Sequence, residues 1–407
     1  FDLRELAART ATPDGAQRVA WGPVWREART WFVDKVSALG LTVTPDAAGN
    51  NWVILPGTSS RTVIVGSHLD SVPNGGWLDG PLGVVAGLDV LRSWVGRQPP
   101  VTLALVDWAD EEGARFGRSL VGSSAATGSL DLDAVRETVD RQGVRMRHAL
   151  ADNGVDVDRM LDARDHLARL GARAYLELHI EQGPVLESMS RPTGVVLGTF
   201  GVERHMLRFT GQAAHAGSTP ISMRRDAFLA AAQTALACRD IAVRHSQPAA
   251  GVVCTVGIVD VEPKFITAIP GACDISLDQR ALAPDTLAAM LADAKAASHR
   301  AADDNRVSVE WRTVYRNAPR PFDADLLRLC ADAVREETGD APHLPSGALH
   351  DATELSRLMP TVMMFAASTK GLSHCKEEDT PIPALDTTVR AFHRLVDKTM
   401  AHVASQR

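Results

Sequence analysis

Two short apolar runs constrain this chain most. Residues 62–66 are largely β-branched and lead into Ser67-His68-Leu69-Asp70. Residues 101–108 are mostly apolar and end at Ala109-Asp110-Glu111-Glu112. Runs of this length and punctuation predict buried strands. Between them, residues 83–94 read as a buried helix. A strand at 51–55, closed by Pro56-Gly57, precedes them, and an apolar strand at 174–180 carries Glu177 and His179. Strands alternating with helices predict an α/β sheet, in which functional groups gather just beyond the carboxyl ends of the strands. Imidazoles and carboxylates stand at those ends here.

At 407 residues the chain exceeds what one hydrophobic core usually organises, so two domains are expected. Residues 129–171, rich in Asp, Arg and Leu, read as helices covering the sheet. The pattern changes near Gly201. A strand at 202–210 is followed by an Ala-rich helix at 226–243, strands at 251–261 and 272–279, a helix at 284–303 and a strand at 307–315. The order βαββαβ is that of a ferredoxin-like unit. A small α+β domain at 201–315 is therefore expected to interrupt a larger α/β domain made of 1–200 and 316–407. The chain returns with a helix at 323–337, a strand at 361–366 and a closing helix near 387–404.

Composition narrows the partners. The net charge is -7 with acids and bases mixed, and no Lys- or Arg-rich block argues for nucleic acid. No apolar run reaches the ~18 residues of a spanning helix, so no membrane partner is expected. The chain begins at Phe1 and not at a methionine, which leaves a removed leader open. Cys238, Cys254, Cys273, Cys330 and Cys375 are scattered and odd in number, which argues against a disulfide framework and for a reducing cytoplasm.

His68 and Asp70 stand two apart, Asp79 lies in the Gly-rich Gly-Gly-Trp-Leu-Asp-Gly loop, and Glu111 and Glu112 are adjacent after a strand. His179 closes the strand Tyr-Leu-Glu-Leu-His-Ile, and His374 follows Gly-Leu-Ser after the strand at 361–366. Taken singly, a His-x-Asp pair also fits a surface or helix cap, paired glutamates fit a solvated face, and a strand histidine fits a core hydrogen bond. Taken together, imidazole and carboxylate donors suit borderline divalent ions such as Zn²⁺, Mn²⁺ or Co²⁺. Two ions roughly 3.5–4 Å apart need a bridging carboxylate, which Asp79 could supply. Asp70 would then fix the His68 imidazole, and Glu111 would serve as a base that binds no metal.

At these residues the sequence resembles the M20 metallopeptidase superfamily, specifically its amidase branch of N-carbamoyl-L-amino acid hydrolases, β-ureidopropionases and allantoate amidohydrolases. The segments that carry the resemblance are GSHLDSVPNGGWLDGPLGV (66–84), DEEGARFGRSLVGS (110–123), ELHIEQGPVLE (177–187), GQAAHAGSTPISMRRDA (211–227), IPGACDISLDQR (269–280), SGALHDATEL (346–355) and GLSHCKEEDT (371–380).

The resemblance implies a large zinc-peptidase-like α/β catalytic domain interrupted by a ferredoxin-like lid and dimerisation domain. It implies two divalent ions per chain, Zn²⁺ or else Mn²⁺, Co²⁺ or Ni²⁺. His68 and His179 would be terminal ligands of one, Glu112 and His374 of the other, with Asp79 between. Glu111 would be the base and Asp70 the clamp on His68. An imidazole at His179, where many peptidase relatives have a carboxylate, favours the amidase branch. Gln182 would lie beside the substrate amide. His215 of the lid would polarise the scissile carbonyl, and the planar fork of Arg280 would pair with a substrate carboxylate. His350 would border the site. Thr267 stands where relatives usually have Asn, which opens the choice between ureido and acyl substrates, and Leu349, where they often have Gly, would narrow the pocket.

The function implied is hydrolysis of an N-carbamoyl-L-amino acid to amino acid, CO₂ and ammonia by a cytoplasmic homodimer joined through the lids. Its rivals are an N-acyl amino acid or allantoate amidohydrolase of the same family, an aminopeptidase, and a non-catalytic binding homologue. The last would have lost Glu111 or a ligand, and all are present.

Overall fold

The structure, a computed structural model, describes residues 1–246 and 251–406. They form two units. The first comprises 1–197, 322–343 and 348–407, and the second 198–321 with 344–347. These boundaries differ from the expected 200 and 316, and the four-residue excursion at 344–347 has no counterpart in the sequence reading.

The first unit is built on a large mixed sheet. Its strands run in the order Val43–Pro45, Asn51–Leu55, Thr102–Trp108, Thr62–His68, Ala172–Ile180, Thr361–Ala366, Thr193–Thr199. The four strands from Thr102–Trp108 to Thr361–Ala366 are mutually parallel, and the flanking pairs are antiparallel. Parallel strands must be covered on both faces. Thr62–His68 accordingly has every residue buried. Alternation sends Val63, Val65, Leu103, Leu105, Leu176, Leu178, Val362 and Met364 to one face. There they meet the helices Pro81–Trp94, Ala324–Thr338 and Ile382–Ser405 in one core. Each such buried aliphatic contributes about 1.5–3 kcal/mol. On the other face Trp108 stands edge-on to Trp52 and Tyr175. Because the central strands are parallel, their carboxyl ends all lie at one edge of the sheet. That edge receives His68, the 110–112 turn, His179 and the loop after Ala366.

The expected helical cover at 129–171 is broken into four short pieces, Leu132–Glu137, Met146–Ala151, Val157–Asp162 and Ala163–Arg169. Side chains of Asp131 and Asp156 cap two of them, and Gly143 and Gly154 with positive φ turn the chain between pieces.

The second unit has antiparallel strands in the order Val253–Thr255, Ala272–Ala281, Gly201–Thr210, Ser308–Asn317, with Val259–Glu262 also on Ala272–Ala281. Helices Ala227–His245 and Pro284–Asn305 bury Ala230, Ala231, Met290 and Ala294 against Leu207, Phe209, Ile275 and Leu277. The single strand expected at 251–261 is two, because the backbone bends between them. Ser276 Oγ accepts the N–H groups of Gly257 and Ile258 at 3.2 and 2.9 Å and anchors that bend. Among the described residues no helix is long and apolar enough to cross a membrane.

The helix Pro81–Trp94 lies so close to the sheet that glycine is required. A Cβ on Gly83 would meet the Leu178 carbonyl oxygen at 2.4 Å, and one on Gly87 would meet Leu105 Cδ1 at 2.5 Å. Backbone yields less than a side-chain methyl. Gly83→Ala should therefore destabilise the protein by about 1–3 kcal/mol, as overpacked cores do, and Gly87→Ala by less. Urea midpoints of the two variants check this, and an unchanged midpoint for Gly83→Ala would contradict it.

Candidate metal centre

The strand Thr62–His68 ends by burying the His68 imidazole. Its Nδ1 lies 3.2 Å from the Asp70 carbonyl oxygen and 3.5 Å from the Asp70 carboxylate. That engagement turns Nε2 toward Asp79 Oδ1 at 3.9 Å and Glu111 Oε2 at 3.8 Å. Asp70 does more than face His68. Its two oxygens accept the N–H groups of Glu111 at 3.2 Å and Glu112 at 3.1 Å. One buried carboxylate thus ties the end of one strand to the turn after its neighbour. Asp110 opens that turn with φ of 57°, held by Trp21 Nε1 donating to its Oδ2 at 2.6 Å.

Asp79 sits at the middle. His179 Nε2 is 3.1 Å from its Oδ1, and His374 Nε2 is 3.3 Å from its Oδ2. Glu112 Oε2 lies 3.5 Å from His374 Nε2. His179 Nδ1 donates to its neighbour Ile180's carbonyl at 2.9 Å, which leaves Nε2 facing the site. His68, Asp79 and His179 form one compact group and Asp79, Glu112 and His374 another, so a single carboxylate belongs to both.

A cation fits these groups. Glu112 Oε1 is buried without a hydrogen-bond partner, and His179 Nε2, though 3.1 Å from Asp79 Oδ1, is not in hydrogen-bond geometry with it, which is costly unless a ligand satisfies them. Burial pushes the Glu111 carboxyl well above its usual range, with Asp351, Glu112 and Asp70 adding to this and His68 opposing it. Burial and Asp79 push Glu112 up to about 7. Burial also disfavours ionised Asp79, but the His179 and His374 imidazoles overcome it and hold its carboxyl well below the usual value. His374 in turn is raised to about 9, chiefly by Asp79. A divalent ion would draw these groups to neutral imidazole and ionised carboxylate, the forms in which they act as ligands.

The remaining sequence-singled residues fall into two sets. Gln182 joins the site, its Nε2 donating to Asp79 Oδ2 at 2.9 Å and Ser373 Oγ at 3.1 Å, with Oε1 buried and unpartnered. His350 is buried with its ring centre 4.4 Å from that of His179, edge to face. Burial, then His179, keeps it well below the usual imidazole pKa, so it is a neutral wall. His215, Thr267 and Arg280 belong to the second unit. His215 is exposed on the two-residue strand Ala214–His215, paired with Ala268–Ile269 beside Thr267. Its Nδ1 accepts the N–H groups of Gly217 and Ser218, both at 3.1 Å. Nδ1 therefore serves as an acceptor, which leaves Nε2 as the ring's donor. Arg280 is held by Asp278 through Nε at 2.8 Å and Nη2 at 3.1 Å, and by the Gly347 carbonyl through Nη1 at 2.9 Å.

Three residues gain a place at the site that the sequence alone did not give them. Glu177 accepts from Ser67 Oγ, Tyr175 OH and the Ala352 N–H at 3.1, 3.1 and 2.9 Å. Ser373 and Glu378 both touch the Asp79 loop. Glu177, on the strand of His179, carried a signal; the other two looked like loop polarity.

Residues 64–398 match the family described as Peptidase family M20/M25/M40. The chain is 35% identical over 383 residues to an N-carbamoyl-L-amino acid amidohydrolase of Geobacillus stearothermophilus, covering 92% of this chain and 91% of that protein. It is 30% identical over 399 residues to an allantoate amidohydrolase of Bacillus subtilis, covering 97% and 95%. A crystal structure of a hydantoinase/carbamoylase family amidase from Burkholderia multivorans aligns with a TM-score of 0.86 at 32% identity, over 99% of this chain and 96% of that one.

Protons compete with a cation for Glu112 near pH 7 and for His374 near pH 9. Affinity for Zn²⁺ should therefore rise with pH through that interval, and binding should release protons. Chelator-competition titrations at several pH values, in two buffers of different ionisation enthalpy, check both. A flat profile would remove these two side chains from the ligand set.

Proposed function

This chain belongs to the M20/M25/M40 peptidase family and is an amidohydrolase of non-peptide C–N bonds, and from that premise we propose that it hydrolyses the ureido bond of N-carbamoyl-L-amino acids with two divalent ions. The observation that carries the reading is Asp79, one carboxylate shared by two donor groups, with Glu111 beside His68. The ureido substrate is supported by the Geobacillus relative, named for that activity.

His68, Asp79, His179, Glu112 and His374 would hold the two cations, which when bound would supply Lewis acidity toward the scissile carbonyl and an attacking water. Glu111 takes the proton of that water. Its carboxyl, raised by burial, then gives the proton to the leaving nitrogen. One water and one N-carbamoyl amino acid yield the amino acid, CO₂ and ammonia. Asp70 keeps His68 and the Glu111 backbone in register. Gln182 presents its free Oε1 to the substrate amide. Arg280, pre-oriented by Asp278, binds the carboxylate, and Thr267 shapes the pocket beside His215. The Nε2 proton of His215 donates to the carbonyl oxygen as negative charge builds on it.

That histidine comes from a second copy. The helix Ala227–His245 exposes Leu229, Leu236 and Val243 at seven-residue intervals, with 48%, 58% and 71% of their surface open. A self-complementary apolar stripe of this kind supports pairing of two second units about a two-fold axis.

Assay of the Zn²⁺-, Mn²⁺- and Co²⁺-loaded enzyme on N-carbamoyl amino acids, N-acyl amino acids and allantoate tests the substrate. Ammonia should be released from the N-carbamoyl series most efficiently, and a preference for N-acetyl substrates would reject the ureido reading. Glu111→Gln should retain the metals and lose roughly 10²–10⁴-fold in turnover; near-normal turnover would remove Glu111 from the proton path.

Two inactive variants, Glu111→Ala and His215→Ala, should complement each other when dissociated and reassembled together. Random pairing makes about half the dimers mixed, each with one intact site, so about a quarter of normal activity should return. Mixed dimers with no activity would place His215 in its own chain's site.

A further inference from the structure

The mechanism leaves Glu378 without a task, yet its side chain is 2% exposed and both oxygens are engaged. Oε1 accepts the backbone N–H groups of Leu78 at 3.1 Å and Asp79 at 3.0 Å. Oε2 accepts from Ser373 Oγ at 2.9 Å. Ser373 immediately precedes His374, and its oxygen is also 3.1 Å from Asp79 Oδ2. Glu378 therefore grips two segments far apart in sequence, the loop that carries Asp79 and the turn that carries His374. The loop wraps closely around it: a Cβ on Gly76 would lie 2.0 Å from the Glu378 carboxyl carbon. On its other side the loop is met by the fully buried Arg18, which donates to the Leu69 carbonyl at 2.8 Å and reaches the Gly76 carbonyl at 3.5 Å.

A carboxylate is a costly choice for a mere strut here. Taking it out of water and setting it beside ionised Asp79 both raise its free energy. A cation on Asp79 and His374 offsets both terms, and the carboxylate repays this by fixing the ligands that hold the cation. Outer partners of metal ligands act in this way.

We propose that Glu378 is a positioning residue for the cation held by Asp79, Glu112 and His374, setting Asp79 through two backbone N–H groups and His374 through Ser373. The proposal rests on the reading of those three side chains as ligands.

The test titrates Zn²⁺ alone into the full-length chain against a chromophoric chelator, with the absorption spectrum of the Co²⁺-substituted protein as a second readout. Glu378→Ala should weaken the affinity of one of two sites roughly 10–100-fold and alter the Co²⁺ spectrum. Glu378→Gln, whose amide oxygen still accepts both N–H groups, should recover most of the loss, and Ser373→Ala should show a smaller one. A strut without influence on the cation would lower thermal stability and leave Zn²⁺ affinity and the Co²⁺ spectrum as in the parent. Parent-like affinity in Glu378→Ala overturns the proposal, and so does parent-like affinity in Ser373→Ala should the first variant fail to fold. Asp79→Ala separates the two levels. If it loses Zn²⁺ while Glu378→Ala does not, the positioning role alone fails. If Asp79→Ala itself binds Zn²⁺ as the parent does, the ligand reading fails and the positioning role with it.

Discussion

Four carboxylates, Asp70, Asp79, Glu111 and Glu112, converge at the carboxyl edge of one sheet, three of them buried and Glu112 partly so. Negative charge at that density, away from water, has to be balanced by something positive. The surroundings of the site follow from that requirement. Backbone N–H groups meet Asp70, imidazoles flank Asp79, and the guanidinium of Arg18 lies buried behind the loops. Even so, Glu111 and Glu112 stay well above their ordinary ionisation range. The protein supplies less positive charge than the cluster calls for, which is the condition under which cations bind strongly.

Rigidity has to accompany that charge. The parallel strands supply most of it, since His68 ends a strand buried along its length and His179 stands one residue before the end of a strand buried from Ala174 onward. The rest is supplied by strained loops. Asp110, Gln182 and His374 each have φ of 57°, a conformation that costs a residue with a side chain roughly 1–2 kcal/mol. All three lie at the cluster or next to its members. Packing and hydrogen bonds hold them there, so strain is concentrated where side-chain direction matters.

His68, Glu112, His179 and His374 were legible in the sequence because each ends or follows an apolar run, Asp79 because it stands in a Gly-rich loop, and their types suit one chemistry. The central strands were legible for the same reason, as short apolar runs bounded by turn residues have few alternatives. Other features had no such signal. The strand Thr193–Thr199 contains two glycines in seven residues, and its place depends on pairing with Thr361–Ala366, far away in the chain. The segment 129–171 has helical composition throughout, but caps and glycines divide it. Ser373 and Glu378 lie in a polar stretch whose composition matches any solvated loop. Their meaning comes from the N–H groups of Leu78 and Asp79, some three hundred positions earlier in the chain.

The short excursion at 344–347 has a consequence for how the polypeptide matures. The Phe200 N–H donates to the Ser346 carbonyl at 3.0 Å, and Arg280 donates to the Gly347 carbonyl. Both acceptors lie beyond Ser308–Asn317, the last strand of the antiparallel sheet of the second unit, and beyond the helix Ala324–Thr338. During synthesis the strands of that sheet and the helices of the second unit emerge before those carbonyls do. Until they do, the Arg280 guanidinium has only Asp278 to hold it. The last hydrogen bonds of the second unit thus wait for the chain that completes the first, and a fragment cut at Pro321 would lack them permanently.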